Sequence, residues 1–321
     1  MLPKGSQVLY VSTIPFYASR MTAPFTELQQ RFSIANVVRF EAGQGGLTRI
    51  VVTSPLASAE VYLHGAHVTH FQPMGQKPVL WMSGQSLYQT DKAIRGGVPI
   101  CFPWFGPKAG EPSAPMHGFA RLREWQVESV SQSDEGAVEI TFTLTADEQT
   151  RTLWPAEFVA RYCVHIGKTL KLTLQVQNKG DAAFTFEEAL HTYFAVGEVR
   201  QVSVTGLEAT NYLDKTDGSK EKSQGGDAVV IVSETDRVYL NTTAPCVLND
   251  PANGRRVGIN KAGSQSTVVW NPWIAKSKAM VDFGDEEWNG MICIETCNLG
   301  KDRVELNPGA IHEMRAEIRI V

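Results

Sequence analysis

The sequence has little of what marks several large classes of protein. Its 30 lysines and arginines are outnumbered by 34 aspartates and glutamates, so a basic surface for nucleic acid is not expected. No apolar run reaches the ~20 residues that a membrane helix needs. The five cysteines include no CxxC pair, which argues against a zinc ribbon or a disulfide framework. These absences favour a cytoplasmic protein that binds neither nucleic acid nor membrane.

Motifs for nucleotide binding, serine catalysis and metal binding are also missing. The chain contains neither a GxxxxGK[ST] phosphate loop nor a GxSxG nucleophile turn. Three histidines lie close together, His64, His67 and His70. On a strand the first and last would face opposite to His67, and Gly65 marks a turn, so no metal site is predicted.

Alternating apolar residues predict strands. The alternation is clearest in four segments, residues 138–144, 158–166, 170–176 and 314–320. Each is typical of a strand with one buried face. Gly167-Lys168 predicts a two-residue hairpin between the second and third segments.

The remaining local patterns predict short helices and loops. Helices are expected over residues 26–32 and 86–94, and no long amphipathic helix is found. Residues 106–117 and 214–227 are polar or rich in glycine and proline, and loops of that length commonly wall a site. Strands that follow strands, joined by turn residues, predict an antiparallel all-β sandwich or barrel.

Glu295 is the first candidate for chemistry. It lies in the run Met291-Ile-Cys-Ile-Glu-Thr-Cys297, whose alternating faces are both apolar, so layers are expected on both sides of this strand. A carboxylate there is costly to bury unless it is paired or used, and burial raises its pKa towards that of a general base. A buried salt bridge is the structural alternative, and the sequence leaves both open.

His191 is the second candidate. Residues 184–194 are predicted as one strand, with phenylalanines on one face and Glu187, His191 and Tyr193 on the other. Such a mixed polar face suits a concave site, and histidine exchanges protons near neutral pH. A core histidine with satisfied hydrogen bonds is the alternative.

A third feature is a set of arginines beside glycines and aromatic residues. Glycine lets the backbone approach a ligand, aromatic rings stack on sugars, and arginine binds phosphate or carboxylate through two parallel hydrogen bonds. Each arginine alone would more often be a surface charge. Asp236 and Glu187-Glu188 add carboxylates, so a two-carboxylate glycosidase also stays open. The arginine-bearing segments are Arg95-Gly-Gly97 and His117-Gly-Phe-Ala-Arg121, with Pro103-Trp-Phe-Gly-Pro107 between them.

Six segments of the chain are more informative together than any one of them alone. They are residues 93–107 (AIRGGVPICFPWFGP), 116–121 (MHGFAR), 189–194 (ALHTYF), 236–239 (DRVY), 269–272 (VWNP) and 293–296 (CIET). Together they resemble the hexose-6-phosphate mutarotases, the glucose-6-phosphate 1-epimerase branch of the aldose 1-epimerase (galactose mutarotase-like) superfamily. Residues 1–25 match nothing in that family. We therefore expect an N-terminal extension over residues 1–25 and a single mutarotase-like domain over residues 26–321.

The resemblance implies a fold, a reaction and a set of site residues. The fold would be a large antiparallel β-sandwich, the β-supersandwich, and the reaction would need no cofactor and no metal. The site residues implied are the general acid His191, the general base Glu295, the phosphate-recognising Arg95 and Arg121, the sugar-binding Asp236, and His117 in the same pocket segment.

Anomer exchange needs only proton transfer. A base removes the proton of the anomeric O1 while an acid protonates the ring O5, so the ring opens, rotates about C1–C2 and recloses. One base and one acid on opposite sides of the ring are expected to suffice. The sequence thus predicts a monomeric epimerase of hexose 6-phosphates, glucose 6-phosphate foremost. An aldose 1-epimerase of unphosphorylated sugars and a non-catalytic sugar-binding module are the alternatives.

Overall fold

Antiparallel strands make up most of the regular structure in the computed structural model, which describes residues 22–321. Residues 1–21, most of the predicted extension, lie outside the described residues. The strands are β1 (Val38–Ala42), β2 (Thr48–Thr53), β3 (Ala57–Tyr62), β4 (His67–Pro73), β5 (Ile100–Cys101), β6 (Gln126–Gln132), β7 (Val138–Thr145), β8 (Phe158–Ile166), β9 (Leu170–Asn178), β10 (Phe184–Phe186), β11 (Glu188–Leu190) and β12 (Tyr193–Ala195). They continue with β13 (Ser203–Thr205), β14 (Asn211–Asp214), β15 (Lys220–Ser223), β16 (Val229–Val230), β17 (Thr235–Tyr239), β18 (Cys246–Asp250), β19 (Arg255–Ala262), β20 (Ser266–Asn271), β21 (Met291–Asn298), β22 (Val304–Leu306) and β23 (Ile311–Ile320).

Helices are short and few among the described residues. The α-helices are α1 (Thr22–Phe32), α2 (Glu148–Leu153) and α3 (Trp273–Ala279). Single 3₁₀ turns occur at Gln44–Gly46, Ala120–Leu122, Val199–Gln201, Lys215–Asp217, Pro251–Asn253, Glu287–Gly290 and Gly300–Asp302. None of the described helices is long and apolar enough to cross a membrane.

Two large antiparallel sheets form the body of the fold. One has nine strands in the order β16-β13-β18-β19-β23-β9-β8-β7-β6. The other has the order β15-β14-β17-β20-β21-β11-β5, with β12 also paired to β21. Strands β1 to β4 form a smaller sheet, and β10 pairs with β22. The predicted fold class, a large antiparallel β-sandwich, is confirmed.

The nine-stranded sheet contains the strands expected from alternation. The alternating apolar residues of β7, Val138, Ile140, Phe142 and Leu144, are all buried, and β8, β9 and β23 bury alternate residues in the same way. The turn between β8 and β9 has three residues rather than the expected two. Ile166 pairs with Leu170, and the Gly167 N–H donates to the Thr169 carbonyl at 3.1 Å.

Local predictions from residues outside the sheets were less accurate. The helix predicted over residues 26–32 is present and begins at Thr22. The helix predicted over residues 86–94 is absent, because Ser86 Oγ accepts a hydrogen bond from the Arg95 N–H at 2.8 Å and holds the segment as a loop. Residues 214–227, predicted as a loop, contain β15, which pairs with β14 at the edge of the eight-stranded sheet.

Candidate functional site

One face of the eight-stranded sheet carries several candidate residues. Asp236 on β17 pairs with Trp270 on β20. Trp270 pairs with Cys293 on β21, and Cys293 pairs with Tyr193 on β12. Directly paired residues point to the same side of a sheet, and Glu295, two residues beyond Cys293, shares that side. All eight residues of β21 are buried, so the prediction of layers on both sides of this strand is confirmed.

His191 lies at a short irregularity between β11 and β12, which both pair antiparallel with β21 in one register. The single strand predicted over residues 184–194 is wrong, because the segment divides into β10, β11 and β12. The Thr192 N–H donates to the Leu190 carbonyl at 2.9 Å, and the His191 N–H donates to the Pro99 carbonyl at 3.0 Å. These bonds interrupt the regular pairing and fix the backbone that carries the His191 ring.

The structure brings His191 and Glu295 into direct contact. His191 Nε2 lies 3.3 Å from Glu295 Oε1, and the side chains are only 9% and 1% exposed. His191 Nδ1 and Glu295 Oε2 are both buried and have no hydrogen-bond partner among the described residues. The Tyr193 ring stacks on His191 with centroids 4.8 Å apart. A buried acid–base pair with unused polar atoms is the central feature of this site.

The surroundings of this pair favour its uncharged form. Burial raises the pKa of Glu295 well above its usual range, and the nearby Asp236 carboxylate raises it further, while Arg121 opposes the shift. Burial lowers the pKa of His191 well below its usual range, and the positive charges of neighbouring groups lower it further. A carboxylic acid beside a neutral imidazole is therefore the state that burial and the neighbouring charges favour.

His117 is held against the same pair by the loop over residues 106–117. Its N–H donates to the Gly106 carbonyl at 2.8 Å, and its Nδ1 accepts from the Gly106 N–H at 3.2 Å. The residue has a φ of 62°, which few residues other than glycine adopt. Its ring lies 5.8 Å from that of His191. Burial lowers the pKa of His117 to about 3, and Arg121 and Arg95 contribute.

Two glycines place Arg95 beside the sheet. A Cβ on Gly97 would lie 2.2 Å from the Val68 carbonyl oxygen, and one on Gly96 would lie 2.6 Å from Met82 Cα. Both residues have positive φ angles, 112° for Gly96 and 60° for Gly97. The Arg-Gly-Gly segment therefore needs glycine for the close approach of its backbone to β4 and to Met82.

Arg95 is fixed by three hydrogen bonds. Its Nε and Nη2 donate to the two carboxylate oxygens of Asp282 at 3.1 and 3.2 Å, and its Nη1 donates to Tyr193 Oη at 3.0 Å. Burial alone would lower the pKa of Arg95, but Tyr193 and Asp282 outweigh burial and raise it. Arg95 therefore stays charged at the edge of the site.

Arg121 differs from Arg95 because no carboxylate among the described residues pairs with it. Its Nη2 donates to the Met116 carbonyl at 2.8 Å, while its Nε is buried without a partner. Burial lowers the pKa of Arg121, and the charge of Arg95 contributes. The site thus holds a half-buried cation whose charge no ion pair within residues 22–321 neutralises.

Asp236 lies on β17, two strands from the strand that carries Glu295. Its carboxylate is 3.8 Å from Lys276 Nζ, and burial raises its pKa. Its charge raises the pKa of Glu295. The structure therefore gathers all six residues that the sequence predicted for the site, whereas their roles remain predictions.

Comparison with known proteins gives the family. A model of the family "Aldose 1-epimerase" matches residues 48–319. The Escherichia coli protein named "Putative glucose-6-phosphate 1-epimerase" is 38% identical over 250 residues, which are 78% of this chain and 83% of that one. A protein of the same name from Cenchrus ciliaris is 34% identical over 286 residues, 86% of this chain and 84% of the relative.

The chain belongs to the aldose 1-epimerase family. It is an epimerase, an enzyme of the isomerase class. The crystal structure of "a putative mutarotase" from Salmonella typhimurium superimposes with a TM-score of 0.84 at 32% identity, over 90% of this chain and 95% of that one. The predicted fold and enzyme class are thereby confirmed.

Several residues of this epimerase site were missed in the sequence. Asp282, the partner of Arg95, lies 187 positions away in a segment without any motif, so no signal could have identified it. Trp81 and Phe283 were also missed, and their rings lie 4.8 Å apart, with Trp81 stacked on Tyr193 at 5.6 Å. These aromatic rings form an apolar wall beside the stacked His191.

The three neighbouring histidines lie outside this group and bond separately. His64 Nε2 is 2.8 Å from the Lys92 carbonyl, and His67 Nε2 is 2.7 Å from the Gly96 carbonyl. His70 Nε2 is 3.1 Å from Ser58 Oγ. Each ring therefore has its own structural partner.

Proposed function

We propose that the protein interconverts the α and β anomers of hexose 6-phosphates, with glucose 6-phosphate as the preferred substrate. The observation that carries this proposal is the buried contact between His191 and Glu295, beside two arginines. The names of the relatives from Escherichia coli and Cenchrus ciliaris support the same substrate. Residues 26–321 would act as a single domain, and the enzyme would be a cytoplasmic monomer.

Ring opening would use the pair in its ionic form. The Glu295 carboxylate accepts the O1 proton, the His191 imidazolium donates a proton to O5, and the C1–O5 bond breaks to leave an aldehyde. The pair is then a carboxylic acid and a neutral imidazole, which is the form that burial favours. Rotation about C1–C2 and the reverse proton transfers close the ring on the other face.

The separation of the two groups fits the atoms that they would serve. His191 Nε2 lies 3.3 Å from Glu295 Oε1. The two oxygens of the substrate are also close together, because O1 and O5 are both bonded to C1. Two adjacent groups can therefore serve both oxygens.

The phosphate would bind Arg95 and Arg121 and would assist the chemistry through charge. Both arginines lower the pKa of His191. A phosphate dianion paired with them would offset these positive charges and raise the pKa of His191 towards the imidazolium form that donates to O5. Its binding energy would also fix the ring against the pair.

Two further residues would hold the sugar. Asp236, on the same face of the sheet as Glu295, would accept hydrogen bonds from sugar hydroxyl groups. His117, with its ring beside that of His191, would contact the substrate as a neutral imidazole, since its pKa is about 3. Neither residue would take part in breaking the C1–O5 bond.

The assignment of Arg121 to the substrate phosphate is tested by measuring the kinetics of the Arg121→Ala variant on glucose 6-phosphate and on glucose. We expect KM for glucose 6-phosphate to rise at least about tenfold, because a charge-assisted contact is lost, and the rate on glucose to change little. The matched control is Arg123→Ala, since Arg123 pairs with Asp147 outside the group of six. Equal effects of Arg121→Ala on both sugars would favour an epimerase of unphosphorylated sugars. Sugar binding without any acceleration would favour a binding module.

A further inference from the structure

Asp282 occupies one edge of the Arg95 guanidinium. Its two carboxylate oxygens accept from Nε and Nη2, and the closest contact is 3.0 Å between Nη2 and Oδ2. Both side chains are largely buried, with 23% of Arg95 and 17% of Asp282 exposed. This is the paired geometry that planar arginine and carboxylate groups favour.

The hydrogen bonds of Arg95 leave a defined pair of donors. A guanidinium carries five N–H groups, one on Nε and two on each Nη nitrogen. Asp282 takes the Nε group and one of Nη2, and Tyr193 takes one of Nη1. One N–H on each Nη nitrogen remains. Two such donors match two oxygens of a phosphate.

The segment that carries Asp282 is itself anchored. Phe283 packs against Trp81, and Glu287 accepts hydrogen bonds from Ser83 Oγ at 2.8 Å and from the Gly84 N–H at 2.9 Å. The Ser83 N–H in turn donates to the Arg95 carbonyl at 3.2 Å. Asp282 and the backbone of Arg95 are therefore held in one frame.

We propose that Asp282 is a specificity-determining positioning residue, which orients Arg95 so that its two remaining donors face the 6-phosphate of the substrate. The inference rests on the proposed function. It adds Asp282, a residue to which the proposed function assigns no role. Asp282 acts through Arg95 and does not touch the reacting atoms. Its connection to His191 runs through Tyr193, which accepts from Arg95 and stacks on the His191 ring.

The two possible roles of Asp282, balancing the charge of Arg95 and positioning its guanidinium, predict opposite effects of its removal on phosphate binding. If the carboxylate only balanced the charge of Arg95, its removal would make the site more positive and would strengthen phosphate binding. If it positions the guanidinium, removal weakens phosphate binding although the site becomes more positive. Asp282→Asn removes the charge and one accepting oxygen, and Asp282→Glu keeps the charge but moves the carboxylate.

The experiment measures KM and kcat for glucose 6-phosphate and the inhibition constant of inorganic phosphate for wild type, Asp282→Asn and Asp282→Glu. We expect Asp282→Asn to raise KM and the inhibition constant about tenfold with kcat nearly unchanged, and Asp282→Glu to raise both less. The control is Glu286→Gln, which removes a charge nearby on a residue that pairs with Lys278 rather than Arg95. Thermal unfolding of each variant shows whether it folds.

The outcomes separate this inference from the proposed function. Wild type without activity on glucose 6-phosphate would contradict the proposed function. Active wild type together with an unchanged or lowered KM in Asp282→Asn would overturn only the role of Asp282. If Asp282→Asn does not fold, Asp282→Glu decides, since a KM equal to that of wild type would also overturn the role.

Discussion

Two buried glutamates on adjacent strands of the eight-stranded sheet each contact a histidine, and the two pairs differ in their surroundings. Glu295 on β21 contacts His191 at 3.3 Å, and Glu188 on β11 contacts His312 at 2.7 Å. Glu188 pairs across the strands with Asn298, three residues beyond Glu295, so the two carboxylates point to opposite faces. Residue type and burial alone therefore do not separate a candidate catalytic pair from a structural one.

The neighbouring charges separate them. His191 lies near His117, Arg121 and Arg95, and burial together with these groups lowers its pKa. For His312 burial acts in the same direction, but the hydrogen bond to Glu188 outweighs it and raises the pKa.

The second pair is also bonded more completely. The Glu188 carboxylate accepts from Asn298 Nδ2 at 2.8 Å in addition to its contact with His312. In the first pair the histidine and the carboxylate each keep a buried polar atom unpartnered among the described residues, whereas in the second only Glu188 does. The first pair is thus suited to moving a proton and the second to holding one.

Replacing the glutamate of each pair by glutamine tests the comparison between the two pairs, and the change at Glu295 is expected to have the largest effect. Glu295→Gln removes the proposed base, so kcat is expected to fall roughly 10²–10⁴-fold while sugar binding is largely kept. Exchange NMR on glucose 6-phosphate measures the rate, and calorimetry measures binding. A variant that keeps full activity would refute the role of Glu295 as the base.

Glu188→Gln is the matched change on the opposite face. It breaks the pair with His312, so the free energy of unfolding is expected to fall by about 3 kcal/mol, while activity is retained well below the melting temperature. Denaturant unfolding measures the loss. Activity that falls as far as in Glu295→Gln, without a loss of stability, would end the distinction between the two pairs.

The pH dependence of stability tests His312 separately. Its pKa is raised in the folded protein, so its contribution is fully present below the ordinary value of 6.5 and is lost as pH rises through the raised pKa. The difference in unfolding free energy between wild type and His312→Gln should therefore shrink as pH rises above 6.5. A difference that does not vary with pH would show that the pair is not ionic.

Asp236→Asn is expected to give the smallest change. The charge of Asp236 raises the pKa of Glu295, so its removal should shift the acidic limb of the kcat profile to lower pH. The pH–rate profile of the variant against wild type measures the shift, and KM is expected to change as well. An acidic limb that moves to higher pH would contradict the effect of the Asp236 charge on Glu295.

Much of the fold could be predicted because alternation directly reflects burial. Strands β7, β8, β9 and β23 of the nine-stranded sheet each bury one face, and that pattern is visible in the sequence. The break at His191 was not visible, since the irregularity depends on hydrogen bonds to the carbonyls of Leu190 and Pro99 that an alternating pattern does not encode.

The candidate site could be predicted only in part, for a related reason. Glu295 was found because a carboxylate in an apolar strand is unusual, and the arginines were found through their glycine-containing motifs. Asp282 and Trp81 were not found, because their importance comes from contacts with Arg95 and Tyr193 that are distant in sequence. The 3.3 Å separation of His191 and Glu295 likewise depends on the tertiary fold.

The most direct test of the central claim is exchange NMR of freshly dissolved α-glucose 6-phosphate beside glucose, with wild type, His191→Ala and His312→Gln. The account predicts that wild type and His312→Gln accelerate anomerisation of the phosphorylated sugar, whereas His191→Ala leaves it at the spontaneous rate. Undiminished acceleration by His191→Ala, or none by wild type on either sugar, would contradict it.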